Sequence, residues 1–287
     1  MSDKLRVSEA GSLLIFLNAK LQGWSKKKIK QRLQLGCVLV NGESVVKHDH
    51  PLNAGDDVEV LAQGKRFDAS KTKSASAKLE ILFSDHDLIV INKPAGLLSV
   101  ATAQENKVTA LAILRNQLSK AKKAVKLWPV HRLDRDTSGV LMFATSREMR
   151  EAINAKWAEA DKVYLAVVEG VPEPKSGTIN QPLRLDDKQY KMHVGAHEDA
   201  KNAITHFSTV RSVNQRSLLE VKLDTGRQHQ IRAHLSWLGY PIVGDPRYGN
   251  DGARMGLHAQ RLTITRPKGD RLTIEAPMPN DLITLLR

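Results

Sequence analysis

The nine residues His131, Arg132, Leu133, Asp134, Arg135, Asp136, Thr137, Ser138 and Gly139 constrain the fold more than any other stretch of this chain. They form a polar run between two apolar ones, with Leu127, Trp128 and Val130 before it and Val140, Leu141, Met142, Phe143 and Ala144 after it. Short apolar runs flanked this way read as strands. Asp134 is therefore expected on a loop between two strands. The arginines on either side favour its ionised form, which suits a nucleophile or base better than a proton donor. A solvated loop salt bridge, or a turn capped by the aspartate's own side chain, uses the same residues equally well.

Residues 225–235 read Thr-Gly-Arg-Gln-His-Gln-Ile-Arg-Ala-His-Leu and have the form of a helix start. Thr225 and Gln228 stand at capping-box spacing, and Gly239, Tyr240 and Pro241 supply a stop. These signals predict a helix over 226–238 with Ile231, Leu235 and Leu238 on its apolar side. Its first turns carry Arg227, His229 and Arg232, where the helix dipole is already positive. Such a charge costs roughly 0.3–1 kcal/mol unless an anion or carboxylate lies opposite. An anion is expected there.

The two segments, in this order, resemble the catalytic motifs of the RluA-like family of RNA pseudouridine synthases, which modify uridines in ribosomal and transfer RNA. In that family the His-Arg-Leu-Asp segment carries the catalytic aspartate, and a Gly-Arg-x-His-Gln-x-Arg helix carries an arginine that pairs with it. Residues 87–96 (Asp-Leu-Ile-Val-Ile-Asn-Lys-Pro-Ala-Gly) resemble the family's opening strand and turn, and residues 162–170 (Lys-Val-Tyr-Leu-Ala-Val-Val-Glu-Gly) the strand bearing its active-site tyrosine. Residues 241–249 and 257–259 also match, so the resemblance covers 79–287. One departure follows Gly96, where many relatives have Val-His-Pro and this chain has Leu97, Leu98, Ser99 and Val100.

The resemblance implies isomerisation of uridine to pseudouridine in structured RNA, with no cofactor and no metal. It makes Asp134, Tyr164 and Arg232 catalytic, and assigns Arg132, His131, Arg227 and Ile231 to substrate binding. Tyr164 would stack on the extruded uracil, Arg132 would fill the space the base leaves, and Ile231 would pack near the ring. Arg232 would hold Asp134 through a two-pronged contact that Lys could not reproduce.

A net charge of +13 and a pI near 9.8 fit a polyanionic partner, and would also suit an anionic membrane surface. No apolar run approaches the ~18 residues of a membrane span, and the first residues lack a signal-peptide core. Cys37 has no cysteine to pair with, which points to a reducing, cytoplasmic setting. His229 and His234 lack the Glu of a zinc-binding His-Glu-x-x-His helix, and His48 and His50 merely flank Asp49, so no metal site is expected.

Between residues 63 and 78 lysines and an arginine mix with Gly and Ser and periodicity disappears, as in a basic flexible linker. Residues 1–62 before it suggest one helix at Leu13, Leu14, Phe16 and Leu17, a second over 25–35, and short strands around an Asn41-Gly42 turn. This arrangement is similar to the small RNA-binding domain of ribosomal protein S-four. The similarity assigns Lys26, Lys27, Lys28, Lys30 and Arg32 to RNA binding, where a charge run alone reads as a solvated face.

The whole is expected to be an α+β fold: a small N-terminal α/β RNA-binding domain plus a large mixed, mainly antiparallel sheet catalytic domain with a central cleft, over 79–287. A helix is predicted over 147–160 with Met149, Ile153 and Trp157 on its core face. The expected partner is RNA, with large-subunit ribosomal RNA favoured and transfer RNA the alternative, acted on by a monomer with no membrane association. Two other readings compete. One is a non-catalytic RNA-binding or ribosome-assembly factor; the other is a hydrolase using Asp134 and Asp136 as a glycosidase-like pair.

Overall fold

The computed structural model describes residues 3–21, 23–26, 29, 33, 38–45, 50–60, 78–101, 108–119, 125–186 and 191–287. The chain divides into two compact units, Met1–Ala77 and Lys78–Arg287.

In the first unit β1 (Asp3–Arg6), β2 (Gly11–Ser12), α1 (Leu13–Lys20), β3 (Val38–Val40), β4 (Glu43–Ser44), β5 (Pro51–Leu52) and β6 (Asp57–Val60) follow in order. Four of the strands form a sheet in the order β1-β6-β3-β4, and β2 pairs with β5. Asn41 and Gly42, at φ 50° and 86°, turn β3 into β4, since a two-residue hairpin loop of this kind needs positive φ at both positions. Leu13, Leu17, Val38, Val40 and Val58 close the core with Ile29 and Leu33. Lys26 is exposed; Lys27, Lys28, Lys30, Arg32, Cys37, His48 and Asp49 lie outside the described residues, as does the linker up to residue 77.

The second unit begins with β7 (Glu80–Ser84), β8 (Leu88–Lys93), α2 (Ala110–Leu118), β9 (Trp128–Pro129), β10 (Ser138–Ala144) and α3 (Arg147–Ala155). It continues with β11 (Asp161–Glu169), β12 (Ser176–Asn180), β13 (Leu183–Asp186), β14 (Lys191–Val194), β15 (Ile204–Val213) and β16 (Arg216–Leu223). Last come α4 (Gln230–Trp237), β17 (Leu257–Thr265), β18 (Arg271–Glu275) and α5 (Asn280–Thr284). Ten strands form one sheet along the path β12-β15-β16-β11-β17-β10-β8-β7, with β18 on β17 and β9 on β10, while β13 and β14 make a separate two-stranded antiparallel sheet. The fold is mixed α+β with a large, mainly antiparallel sheet.

Every residue of β10 is buried, as its unbroken apolar run requires of a strand covered on both faces. Its side chains alternate between two clusters: Val140 and Met142 pack with Val90, Ile153 and Ile264, and Leu141 and Phe143 with Ile91 and Leu114. The predicted 147–160 helix is shorter than expected. It starts where Ser146 accepts a 3.0 Å bond from Met149 N–H, and ends at Ala155, after which Trp157–Glu159 tighten into a single 3₁₀ turn. Met149, Ile153 and Trp157 still face one cluster.

The junction between β10 and β17 is parallel and spans only Ser138↔His258 and Gly139↔Ala259. Gly139 sits at φ +112°, and a Cβ there would fall 2.1 Å from the Ala259 carbonyl oxygen, so the approach requires glycine. That approach sets the loop ahead of β10 beside β17 and, beyond it, β11.

Candidate active site

Backbone bonds fix the loop that carries Asp134. Lys93, with no exposed surface, donates from Nζ to the carbonyls of Pro94 (3.0 Å), Leu97 (2.7 Å) and Arg135 (2.9 Å). Burial pushes this amine down to about 7, with Asp136 and Asp134 pulling the other way. Three carbonyl acceptors match the three hydrogens of the charged form. Ser99, in the turn that departs from the family's Val-His-Pro, donates to the Leu133 carbonyl (2.7 Å) and accepts from Leu133 N–H (3.0 Å). The departing turn thus clamps the residue next to Asp134.

Tyr164 reaches the same place from β11, where the register against β17 shifts between Val163 and Tyr164. An irregularity of this kind re-aims a side chain. Burial, and then the charge of Asp134, raise the Tyr164 hydroxyl well above its ordinary range, so it stays a protonated phenol.

The third element is α4, which begins at Gln230 rather than at 226. The expected Thr225–Gln228 capping box is replaced by Gln230, whose Oε1 accepts from Thr225 Oγ1 and Arg227 N–H, each at 2.9 Å. Its Nε2 donates to the Ile204 carbonyl (2.9 Å) and to Thr205 Oγ1 (3.0 Å) on β15. Residues 226–229 are therefore loop, and His229 precedes the helix in a left-handed conformation, φ 49° and ψ 21°. The predicted stop stands: Gly239 lies at φ +91° and Tyr240 N–H bonds to the Leu235 carbonyl at 2.9 Å.

Arg232, in the first turn of α4, joins the elements. Its Nη1 donates to Asp134 Oδ2 at 2.9 Å. The two-pronged contact expected with Asp134 goes instead to Asp245, from Nε to Oδ2 (2.7 Å) and from Nη2 to Oδ1 (2.8 Å). Asp245 has no exposed surface, and its Oδ1 also accepts from Arg247 and Tyr248 N–H. Burial alone would raise its carboxyl; the bonds and charge of Arg232 and the two backbone donors hold it below the usual carboxylate range. Burial opposes the Arg232 charge too, but Asp245 and Asp134 outweigh it and raise its pKa. The anion expected opposite the helix start is this pair of carboxylates. Asp245 was within reach of the sequence, since it lies in the matched 241–249 segment, but nothing local links it to Arg232.

These groups line a cavity of about 210 Å³. That is smaller than the roughly 300–1,000 Å³ pockets of drug-sized ligands. Asp134, Tyr164, Arg232, Arg132, Arg227 and Ile231 all border it. Arg132 is exposed, and Arg227 Nε donates to the Asn202 carbonyl (3.0 Å). His131 is placed elsewhere: its Nε2 accepts from Met142 N–H (3.2 Å) and its ring stacks on Trp157 at 5.2 Å. Burial, and then Lys162, hold this imidazole down at about 4. It braces the loop from behind. Asp136 pairs with Arg135 at 3.1 Å outside the cavity, so the glycosidase-like pair is not assembled. His234 is engaged by Thr205 Oγ1 and the Gln181 carbonyl, so it forms no ligand pair with His229.

The family model for RNA pseudouridylate synthase matches residues 87–237. The chain is 33% identical to the uncharacterized RNA pseudouridine synthase YlyB of Bacillus subtilis (strain 168), over 94% of this chain and 91% of that protein. It is 31% identical to ribosomal large subunit pseudouridine synthase D of Nitrosomonas europaea, over 99% of this chain and 84% of that one. The solved structure of human RNA pseudouridylate synthase domain containing 4 superposes with a TM-score of 0.60 at 26% identity, covering 71% of this chain and 90% of that one. The chain belongs to the RNA pseudouridylate synthase family, and its reaction is the isomerisation of uridine to pseudouridine in RNA.

Proposed function

We propose that this enzyme modifies uridines of ribosomal RNA, in the large subunit, with Asp134 as the catalytic carboxylate. The observation that carries the site is that Asp134 is the carboxylate bordering the cavity, with Oδ2 held by Arg232 and its side chain 27% exposed. The reaction breaks the bond between uracil N1 and the ribose, turns the ring, and joins carbon five to the same sugar carbon. Extruding the base from folded RNA costs a few kcal/mol. Stacking on Tyr164 and apolar contact with Ile231 offset that cost, while Arg132 at the rim enters the space the base vacates.

The ribosomal target is supported by the relative named for the large subunit and by the +13 charge. Residues 1–62 serve as the S-four-like domain, in which Lys26, Lys27, Lys28, Lys30 and Arg32 contact phosphates; residues 63–78 link it to the catalytic domain over 79–287. The enzyme acts as a cytoplasmic monomer. Among the described residues no helix is long and apolar enough to cross a membrane. Mass mapping of pseudouridines in total RNA from cells with and without the gene tests the target. A site lost from large-subunit ribosomal RNA supports it, and a loss confined to transfer RNA overturns it.

A further inference from the structure

The cavity holds an ionisable side chain that none of these steps uses. His229 borders it with a side chain only 12% exposed, and its Nε2 lies 3.7 Å from Asp134 Oδ2. Its backbone occupies the left-handed region, which His adopts more readily than most residues though still at some cost. Its side chain is held by Tyr248. The tyrosine ring meets the imidazole edge-on at 5.7 Å between centroids, and its hydroxyl lies 3.1 Å from His229 Nδ1.

That hydroxyl also bears on the tautomer. It accepts from Met192 N–H at 2.7 Å, and among the described residues Nδ1 is the acceptor within reach of its own hydrogen, which favours donation to Nδ1. The imidazole proton then sits on Nε2, facing an acceptor-only carboxylate. Both ends of the ring agree. Four charges surround it: Asp134 from the loop before β10, Arg232 from α4, and Asp245 and Arg247 from the loop before β17. Burial, the strongest influence, favours the neutral ring.

Resting on the assignment of Asp134 above, we propose that His229 is a positioning residue: a neutral Nε2–H imidazole, set by Tyr248, that restrains Asp134 Oδ2 together with Arg232 and leaves Oδ1 to the substrate. The 3.7 Å separation exceeds the roughly 2.7–3.2 Å of an N–H···O bond. Such contacts tighten when substrate fills the site.

The test pairs a spectrum with rates. ¹⁵N NMR of the wild-type ring should show a protonated Nε2 and a bare Nδ1. Single-turnover pseudouridine formation is then measured on total RNA from cells lacking the gene. His229→Asn tolerates the left-handed backbone but is too short to reach Asp134, and its rate should fall about 100-fold, as for a misplaced reacting group. His229→Gln carries an amide N–H near the Nε2 position and should recover much of that loss. RNA affinity should be unchanged in both. A protonated Nδ1, or a wild-type rate in His229→Asn, overturns the proposal. Asp134→Asn, run alongside, separates the failures: if it is dead while His229→Asn is fully active, only the role of His229 falls, whereas an active Asp134→Asn removes the underlying site assignment.

Discussion

Arg232 holds two carboxylates, and the two loops that present them are built differently. Asp245 is sealed from solvent and takes two bonds from the guanidinium and two from backbone N–H groups. It follows Gly244, whose φ of +71° and 2.0 Å clearance between a Cβ and the Arg254 carbonyl oxygen admit no side chain. Asp134 takes a single bond from Arg232 and keeps 27% of its side chain exposed. Its loop is pinned through backbone carbonyls by Lys93 and Ser99, which leaves the carboxylate free. The buried contact fixes the plane of the guanidinium, and the nitrogen left over is aimed at Asp134, the carboxylate proposed to react. A buried ion pair is weak support for stability in itself. Here it serves orientation.

The largest effect expected on this contrast comes from Asp245→Asn. Breaking a buried pair costs up to about 3–5 kcal/mol, reduced here because Arg232 keeps its bond to Asp134. The thermal midpoint should drop by several degrees and the single-turnover rate should fall with it. An unaltered midpoint would mean that the sealed carboxylate anchors nothing. Arg232→Lys comes next, because one ammonium cannot span both carboxylates. A rate loss of about 100-fold, or ~2.7 kcal/mol, is expected with RNA affinity retained, while Arg227→Lys should act on affinity instead. Equal, minor effects of the two would contradict the fork.

Acid should separate the supports of the two loops. His131, behind the Asp134 loop, is held at about 4 against an ordinary 6.5. As pH falls through 6.5 the unfolded chain takes up a proton that the folded protein refuses until about 4, so stability is lost across that window. Allowing for the ring's partial exposure, the loss is about 2 kcal/mol. Asp245, held below the usual carboxylate range, contributes stability that is present above that range and lost only as pH falls beneath it. Denaturant titrations at neutral pH and at pH near 5 should show the first loss in wild type and not in His131→Gln. The smallest effect is expected from Tyr164→Phe, which keeps the stacking ring. RNA binding should be unchanged and the rate reduced by less than tenfold; a stalled species trapped with fluorinated uridine RNA would assign the hydroxyl a larger part.

What was legible in the sequence was local. The apolar run of β10 and the Gly239 stop depend on neighbours in the chain, and both lie where periodicity and turn chemistry put them. The start of α4 was misplaced because Gln230 bonds to Ile204 and Thr205 on another strand. The partner of the Arg232 fork was misassigned for the same reason: only the folded chain brings Asp245 to it. His131 shares a motif with Asp134, which implies substrate binding, yet its ring is engaged by Met142 and Trp157. Motif spacing put both segments at one cavity; packing decided which member of each motif borders it.

The account rests on Asp134 being the group that reacts. Asp134→Asn keeps the shape of the side chain and removes its charge, and single-turnover pseudouridine formation on total RNA from cells lacking the gene reads the consequence directly. The variant should fold, bind RNA as wild type does, and form no detectable pseudouridine. Product at the wild-type rate would contradict the assignment of the exposed carboxylate, and with it the division of labour around Arg232.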